Sequence, residues 1–144
     1  MLLRGNLFAH VPTRPRRAAA VVEFAVVAPL LFALVLGIIE FGRAMMVLEL
    51  LNNAARAGCR AGVLSGSSNT DVNSAITTAL TGSGVNSPST TIDVNGSQAD
   101  VSTAQTGDTI SVTVSVGADA VTWLPVPQFL GGKTLTGIVA MRRE

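Results

Sequence analysis

"RRAAAVVEFAVVAPLLFALVLGIIEFGR", residues 16–43, is an apolar run interrupted by one ionisable residue, Glu23. From Phe24 to Ile39 no charge occurs, and Ala18–Val22 extend the run on the other side of the glutamate. As a helix, Ala18–Ile39 would measure roughly 33 Å at about 1.5 Å per residue, enough to cross a hydrocarbon core of about 30 Å. Hydrocarbon offers backbone groups no partners, so a crossing segment here must be helical, with Pro29 tolerated. The open question is what a carboxylate does in it.

The rest of the composition agrees with membrane association. Of 144 residues, 48% are hydrophobic and only 13% charged, against about 25% charged in soluble domains. That leaves room for one small globular part. The net charge of +1 is unevenly spread: Arg4, Arg14, Arg16 and Arg17 precede the run, with no acid among them. From Ala61 to Gly132 there is no Lys or Arg, whereas Asp71, Asp93, Asp100, Asp108 and Asp119 all fall there. A nucleic-acid partner is excluded, because no basic face exists on the part large enough to fold. Basic residues before the run place the N-terminus in the cytoplasm and the bulk of the chain outside. A cleaved secretory signal is the competing reading, but the run is long for an h-region and passes into "IIEFGRAMMVLELLNNAARAG" without a break. The Arg16–Arg17 pair alone is a weak twin-arginine signal.

Past the apolar run the helical pattern continues to about Leu64. Ala54, Gly58 and Gly62 recur at i+4 and make a small-residue stripe. The stripe admits close approach either of a partner helix or of the chain's own globular part. Residues 65–144 are rich in Ser, Thr, Gly and Asn. "TDVNSAITTALTG" predicts a short helix capped by Thr70, with Val72, Ile76, Ala79 and Leu80 on one face and Gly82 as its stop. "TTIDVNG" predicts a strand with Ile92 and Val94 on one side. "DTISVTVSV" alternates strictly, placing Ile110, Val112, Val114 and Val116 on one buried face. "KTLTGIVAMRR" supplies a last strand. The expected fold is α+β: a long N-terminal helix, then a small antiparallel sheet packed on one face by helix. Between the last two strands lies "WLPVPQFLGG", whose Trp123, Leu124, Phe129 and Leu130 are candidates for a partner or membrane contact, or a cover for the small core.

No catalytic constellation can be assembled. The sole histidine, His10, lies in the basic N-terminal stretch, and the dispersed aspartates lack EF-hand spacing. Cys59, the only cysteine, excludes an internal disulfide and reads as a small buried residue on a helix. The chain is not expected to be an enzyme, and no cofactor or metal is implied.

A carboxylate at membrane depth costs about 2.5–3.5 kcal/mol, less near the interface. Arg16 and Arg17 lie seven and six residues before Glu23, off the i+3 and i+4 spacing of a helical pair. One explanation is a glutamate near the interface, where snorkelling lowers the cost. A second comes from a resemblance. "RRAAAVVEFAVVAPLLFALVLGIIEFGRAMM" followed by "NNAARAGCRAG" resembles TadE-like proteins, the minor pilins (pseudopilins) of the tight-adherence, or Flp, pilus system. The likeness covers about residues 15–62. It implies a leader, residues 1–18, cut by a prepilin peptidase between Ala18 and Ala19. Glu23 then becomes the fifth residue of the mature chain, followed by Phe24. In such assemblies the carboxylate pairs with a neighbour's new α-amino group, a partner the isolated chain lacks. Ala18 stands where the family usually has Gly.

The resemblance therefore implies a single-pass pseudopilin with three parts: leader 1–18, long helix 19–64 and extracytoplasmic head 65–144. Its implied partners are the prepilin peptidase, other pseudopilins, the major Flp pilin, the inner-membrane pilus platform and the lipid bilayer. The alternative is a membrane-anchored or secreted binding domain unrelated to pili.

Overall fold

The computed structural model describes residues 15–121 and 130–144, with side chains from Ala18 onward. The N-terminal stretch 1–14 and the segment 122–129, with Trp123, Leu124 and Phe129, lie outside the described residues. The architecture is α+β. Helix α1 runs from Pro15 to Gly62 and α2 from Asn69 to Leu80. Strands β1 (Ser89–Val94), β2 (Ser97–Gln98), β3 (Thr109–Gly117) and β4 (Thr134–Arg142) follow, with single 3-10 turns at Val101–Thr103 and Ala118–Ala120. The four strands form one antiparallel sheet in the order β2-β1-β3-β4.

The chain divides into two units, with the break between Leu36 and Gly37, inside α1. In the first unit, the side chains of 18–36 are exposed apart from a half-buried Ala28, and the helix continues through Pro29. Its surface is Val, Leu, Phe and Ala, as a lipid-facing helix requires.

The second unit, the head, includes the C-terminal part of α1 because that part supplies its core. Ala44, Val47, Leu51, Ala54, Ala55 and Cys59 are all buried. They pack with Val72, Ile76 and Leu80 of α2 and with Ile92, Ile110, Val112, Val114, Val116 and Leu135 of the sheet. The expected alternation of β3 is present, with every second residue from Ile110 to Val116 buried. Three details depart from the sequence reading. The α2 cap is Ser68, two residues before Thr70, because the Asp71 carboxylate accepts from the Ser68 backbone N–H at 2.8 Å and fixes the turn there. Ala79 is exposed, since Val72, Ile76 and Leu80 already complete the buried stripe. Strand β2 was not foreseen: Asn95 and Gly96, at φ 52° and 80°, make a two-residue hairpin turn that returns the chain as Ser97–Gln98.

The backbone of α1 comes very near β4 at Gly137. At Gly137 a Cβ would stand 2.6 Å from Asn52 N and from Leu51 C, both backbone atoms that cannot swing aside. Only glycine lets the helix lie this close to the sheet. Gly137→Ala is expected to destabilise the head by about 1–3 kcal/mol through overpacking. Thermal unfolding of the full chain in detergent, followed by circular dichroism, checks this; an unchanged midpoint would mean that helix and strand separate freely.

Candidate functional site

Glu23 lies one turn into the apolar part of α1, exposed, in a run with no other charge before Glu40. Phe24 beside it is also exposed, as are Ala18 and Ala19 at the start of the described side chains. Around Glu23 the helix offers only aliphatic and aromatic surface. A carboxylate so placed is suited to taking a cationic or hydrogen-bonding partner, and among the described residues the surrounding helix surface offers none. Among the described residues, α1 is the one helix long and apolar enough to cross a membrane, consistent with a single-pass membrane protein.

The small-residue stripe is turned into the head. Ala54, Gly58 and Gly62 are all buried. A Cβ at Gly58 would come within 2.8 Å of Ile76 Cγ1, and one at Gly62 within 3.2 Å of Val72 Cγ2. The stripe thus admits α2, a part of the chain's own globular unit, rather than a partner helix. Cys59 is fully buried between Gly58 and Arg60, and its Sγ donates to Val139 O at 3.0 Å. Burial pushes its thiol pKa up, partly offset by a backbone hydrogen bond with Val112. It is an inert, protonated core residue at neutral pH.

Sequence reasoning missed the second arrangement on α1. Glu40, only 4% exposed, accepts from Leu130 N–H at 3.2 Å, and Arg43 Nε donates to Val121 O at 3.2 Å. One helical turn of α1 therefore grips both flanks of the 122–129 segment. The signal available in the sequence was an acid and a base at i, i+3 where the apolar run ends. The void beside the grip, lined by Ala44, Ala118 and Leu135, is about 10 Å³, room for one water at most. Leu130, half-buried, is the one member of the candidate contact loop within the described residues.

A third arrangement ties down the C-terminus. Arg143 is 6% exposed and donates to the carbonyls of Val101 (2.7 Å), Ala104 (2.9 Å) and Leu64 (2.6 Å). It joins the exit of α1, the 3-10 turn and the end of β4. Among the described residues, no group of three or more His, Cys, Asp or Glu could hold a metal ion. The open concavity formed by Thr77–Pro88 carries no titratable side chain.

Three surface carboxylates are held below the ordinary range by hydrogen bonds to their charged forms. Asp71 is held by the Ser68 backbone N–H and hydroxyl, Asp100 by Ser102, and Asp108 by the Gln105 backbone N–H and then Asn95. All three close turns rather than line a site.

The comparison with protein families supplies one match: the TadE-like protein family, over residues 18–60. No curated protein and no solved structure matches the chain. The matched stretch contains Glu23, Glu40, Arg43 and, of the small-residue stripe, Ala54 and Gly58, and stops before Gly62 and α2.

Two outcomes are expected. Glu40→Ala leaves the Leu130 N–H without its acceptor and should cost about 1–3 kcal/mol, whereas Glu40→Gln keeps an acceptor oxygen and should cost less. Thermal melts of the two variants compare them. For the aspartates, each folded pKa lies below its unfolded value of about 3.9. Their stabilisation is therefore complete above that value and is lost as pH falls through the folded values. The head's midpoint should hold steady near neutrality and fall in acid, and Asp71→Asn should make the acid fall shallower in a pH series.

Proposed function

Taking residues 18–60 as a TadE-like segment, we propose that this chain is a pseudopilin working in the assembly of tight-adherence (Flp) pili. The observation that carries the proposal is Glu23: one exposed carboxylate in the otherwise uncharged apolar run 18–39 of α1, inside the matched stretch. In this reading the chain sits in the cytoplasmic membrane with residues 1–18 inside and the head outside. A prepilin peptidase cuts between Ala18 and Ala19. The new α-amino group of one subunit pairs with Glu23 of its neighbour, which removes the cost of an unpartnered charge at membrane depth and sets the register. Phe24 packs beside that pair. The head meets other pseudopilins, the major pilin and the inner-membrane platform. The role is structural rather than catalytic, in keeping with the family.

A second reading rests on the grip around 122–129. Both flanks of an uncharged segment containing Trp123, Leu124 and Phe129 are fastened to α1, which would suit an anchored binding domain that uses this loop as its contact. The two readings part at Glu23, which a binding domain does not need.

The test is the intact mass and N-terminal sequence of the protein expressed with and without a prepilin peptidase. Peptidase-dependent appearance of an Ala19 terminus is expected, with a larger cleaved fraction for Ala18→Gly. Glu23→Gln should still be cut and still fold, yet fail to support piliation. A Met1 terminus under both conditions, or full piliation with Glu23→Gln, would remove the pseudopilin reading.

A further inference from the structure

The β1–β2 turn carries a short motif that the fold alone does not require. Asp93-Val94-Asn95-Gly96-Ser97 contains the chain's one Asn-X-Ser/Thr triplet, with Gly rather than Pro at its middle. That triplet is the acceptor pattern for N-linked glycan. Asp93 adds the acid, two residues before the asparagine, that bacterial glycan transferases also read. The hairpin explains part of the motif: Asn95 and Gly96, both at positive φ, are the pair that a two-residue turn favours. Turn chemistry does not demand Ser97 or Asp93.

The fold places the motif where a transferase can reach it. Asn95, Gly96, Ser97 and Gln98 are exposed in succession, and nothing lies within 4 Å of where a Gly96 Cβ would stand. Strand β2 is an edge of the sheet, at the opposite side from β4, against which the α1 backbone lies. A bulky group at Asn95 therefore displaces no part of the core. The Asn95 amide is engaged but not buried: Nδ2 donates to Asp108 Oδ1 at 2.8 Å, and Oδ1 accepts from Thr109 N–H at 2.9 Å. Nδ2 carries two hydrogens and Asp108 takes one, so a substituted nitrogen still has a hydrogen to donate. A transferase binds the triplet extended, which needs the turn to open. Only two residue pairs join β2 to β1, and a pairing that short is weak. The turn can open while β1 stays paired to β3 along its length.

We propose that Asn95 is a site of N-glycosylation, taking one oligosaccharide from a polyprenyl-diphosphate donor. A base on the transferase removes a proton from Asn95 Nδ2 as the nitrogen attacks the anomeric carbon of the first sugar. The carbon–nitrogen bond forms, the bond from that carbon to the diphosphate oxygen breaks, and the polyprenyl diphosphate leaves with the electron pair. The Ser97 hydroxyl, two residues on, gives the transferase its hold beside the amide. A glycan here covers the β2 edge, whose outward backbone groups would otherwise be open to another strand. The inference rests on the head lying outside the cytoplasm, as in the proposed function, and on nothing about pili.

The test expresses the full chain in a bacterial host that carries a single-subunit oligosaccharyltransferase and a polyprenyl-diphosphate-linked heptasaccharide, with a secreted acceptor protein as positive control. The intact mass should rise by one heptasaccharide, mapped by peptide mass spectrometry to Asn95. Asn95→Gln and Ser97→Ala should each abolish the increase, and Ser97→Thr should keep it. Ser97→Ala leaves both turn residues in place, so its effect is not that of a lost turn. Asp93→Ala should lower the modified fraction several-fold. A chain that stays unmodified while the control acceptor is glycosylated overturns the site, as does modification that survives Ser97→Ala. Protease added to spheroplasts of the same cells keeps two failures apart. Digestion of the head in an unmodified chain removes the site alone, whereas a protected head removes the proposed orientation with it. Leader cleavage is read separately, from the N-terminus of the same protein.

Discussion

The structure depends on the backbone of α1 lying directly on β4 at Gly137, where even a methyl group would stand 2.6 Å from Leu51 and Asn52 main-chain atoms. Close packing of this kind makes the C-terminal part of the helix a core element of the head rather than a stalk beneath it. Val47, Leu51, Ala54, Ala55 and Cys59 are completely buried because the sheet and α2 close over them. Small residues are needed on the helix for the same reason. Gly58 and Gly62 stand where Ile76 and Val72 must fit. A helix that is apolar on every side in its first half thus becomes one-sided in its second.

Polar groups secure that packing where apolar contact ends. Arg143 spreads its guanidinium over three carbonyls from two separate parts of the chain, and charge-assisted hydrogen bonds of this kind are the stronger ones. At the other end of the head, Glu40 and Arg43 hold Leu130 and Val121. Both fastenings join residues far apart in sequence, so the long helix, the last strand and the chain between them are linked by hydrogen bonds as well as by core.

These constraints bear on function by dividing the helix's labour. The residues that meet other molecules in the proposed assembly, Glu23 and Phe24, lie where α1 is exposed all round. The small-residue stripe, the other place where a partner helix could have docked, is occupied by the chain's own α2. The large apolar side chains left exposed on the head's share of α1 are Ile38, Ile39, Phe41, Met45 and Met46.

The sequence by itself determined the elements whose signal is local. The apolar length of 18–39 required a helix, the strict alternation of 109–116 required a half-buried strand, and the TadE-like pattern was readable in Glu23, Phe24 and the flanking runs. Periodicity and hydrophobicity belong to a segment and need no partner. Even within local range, the cap at Ser68 was misread as Thr70, because Ser, Asn and Thr in succession are all plausible caps until Asp71 chooses one. Tertiary structure alone decided which neighbour the 54–62 stripe admits, why position 137 is glycine, and what Glu40, Arg43 and Arg143 hold. Each of those answers depends on an atom many residues away in the chain, and a linear pattern carries no record of which distant backbone will arrive there.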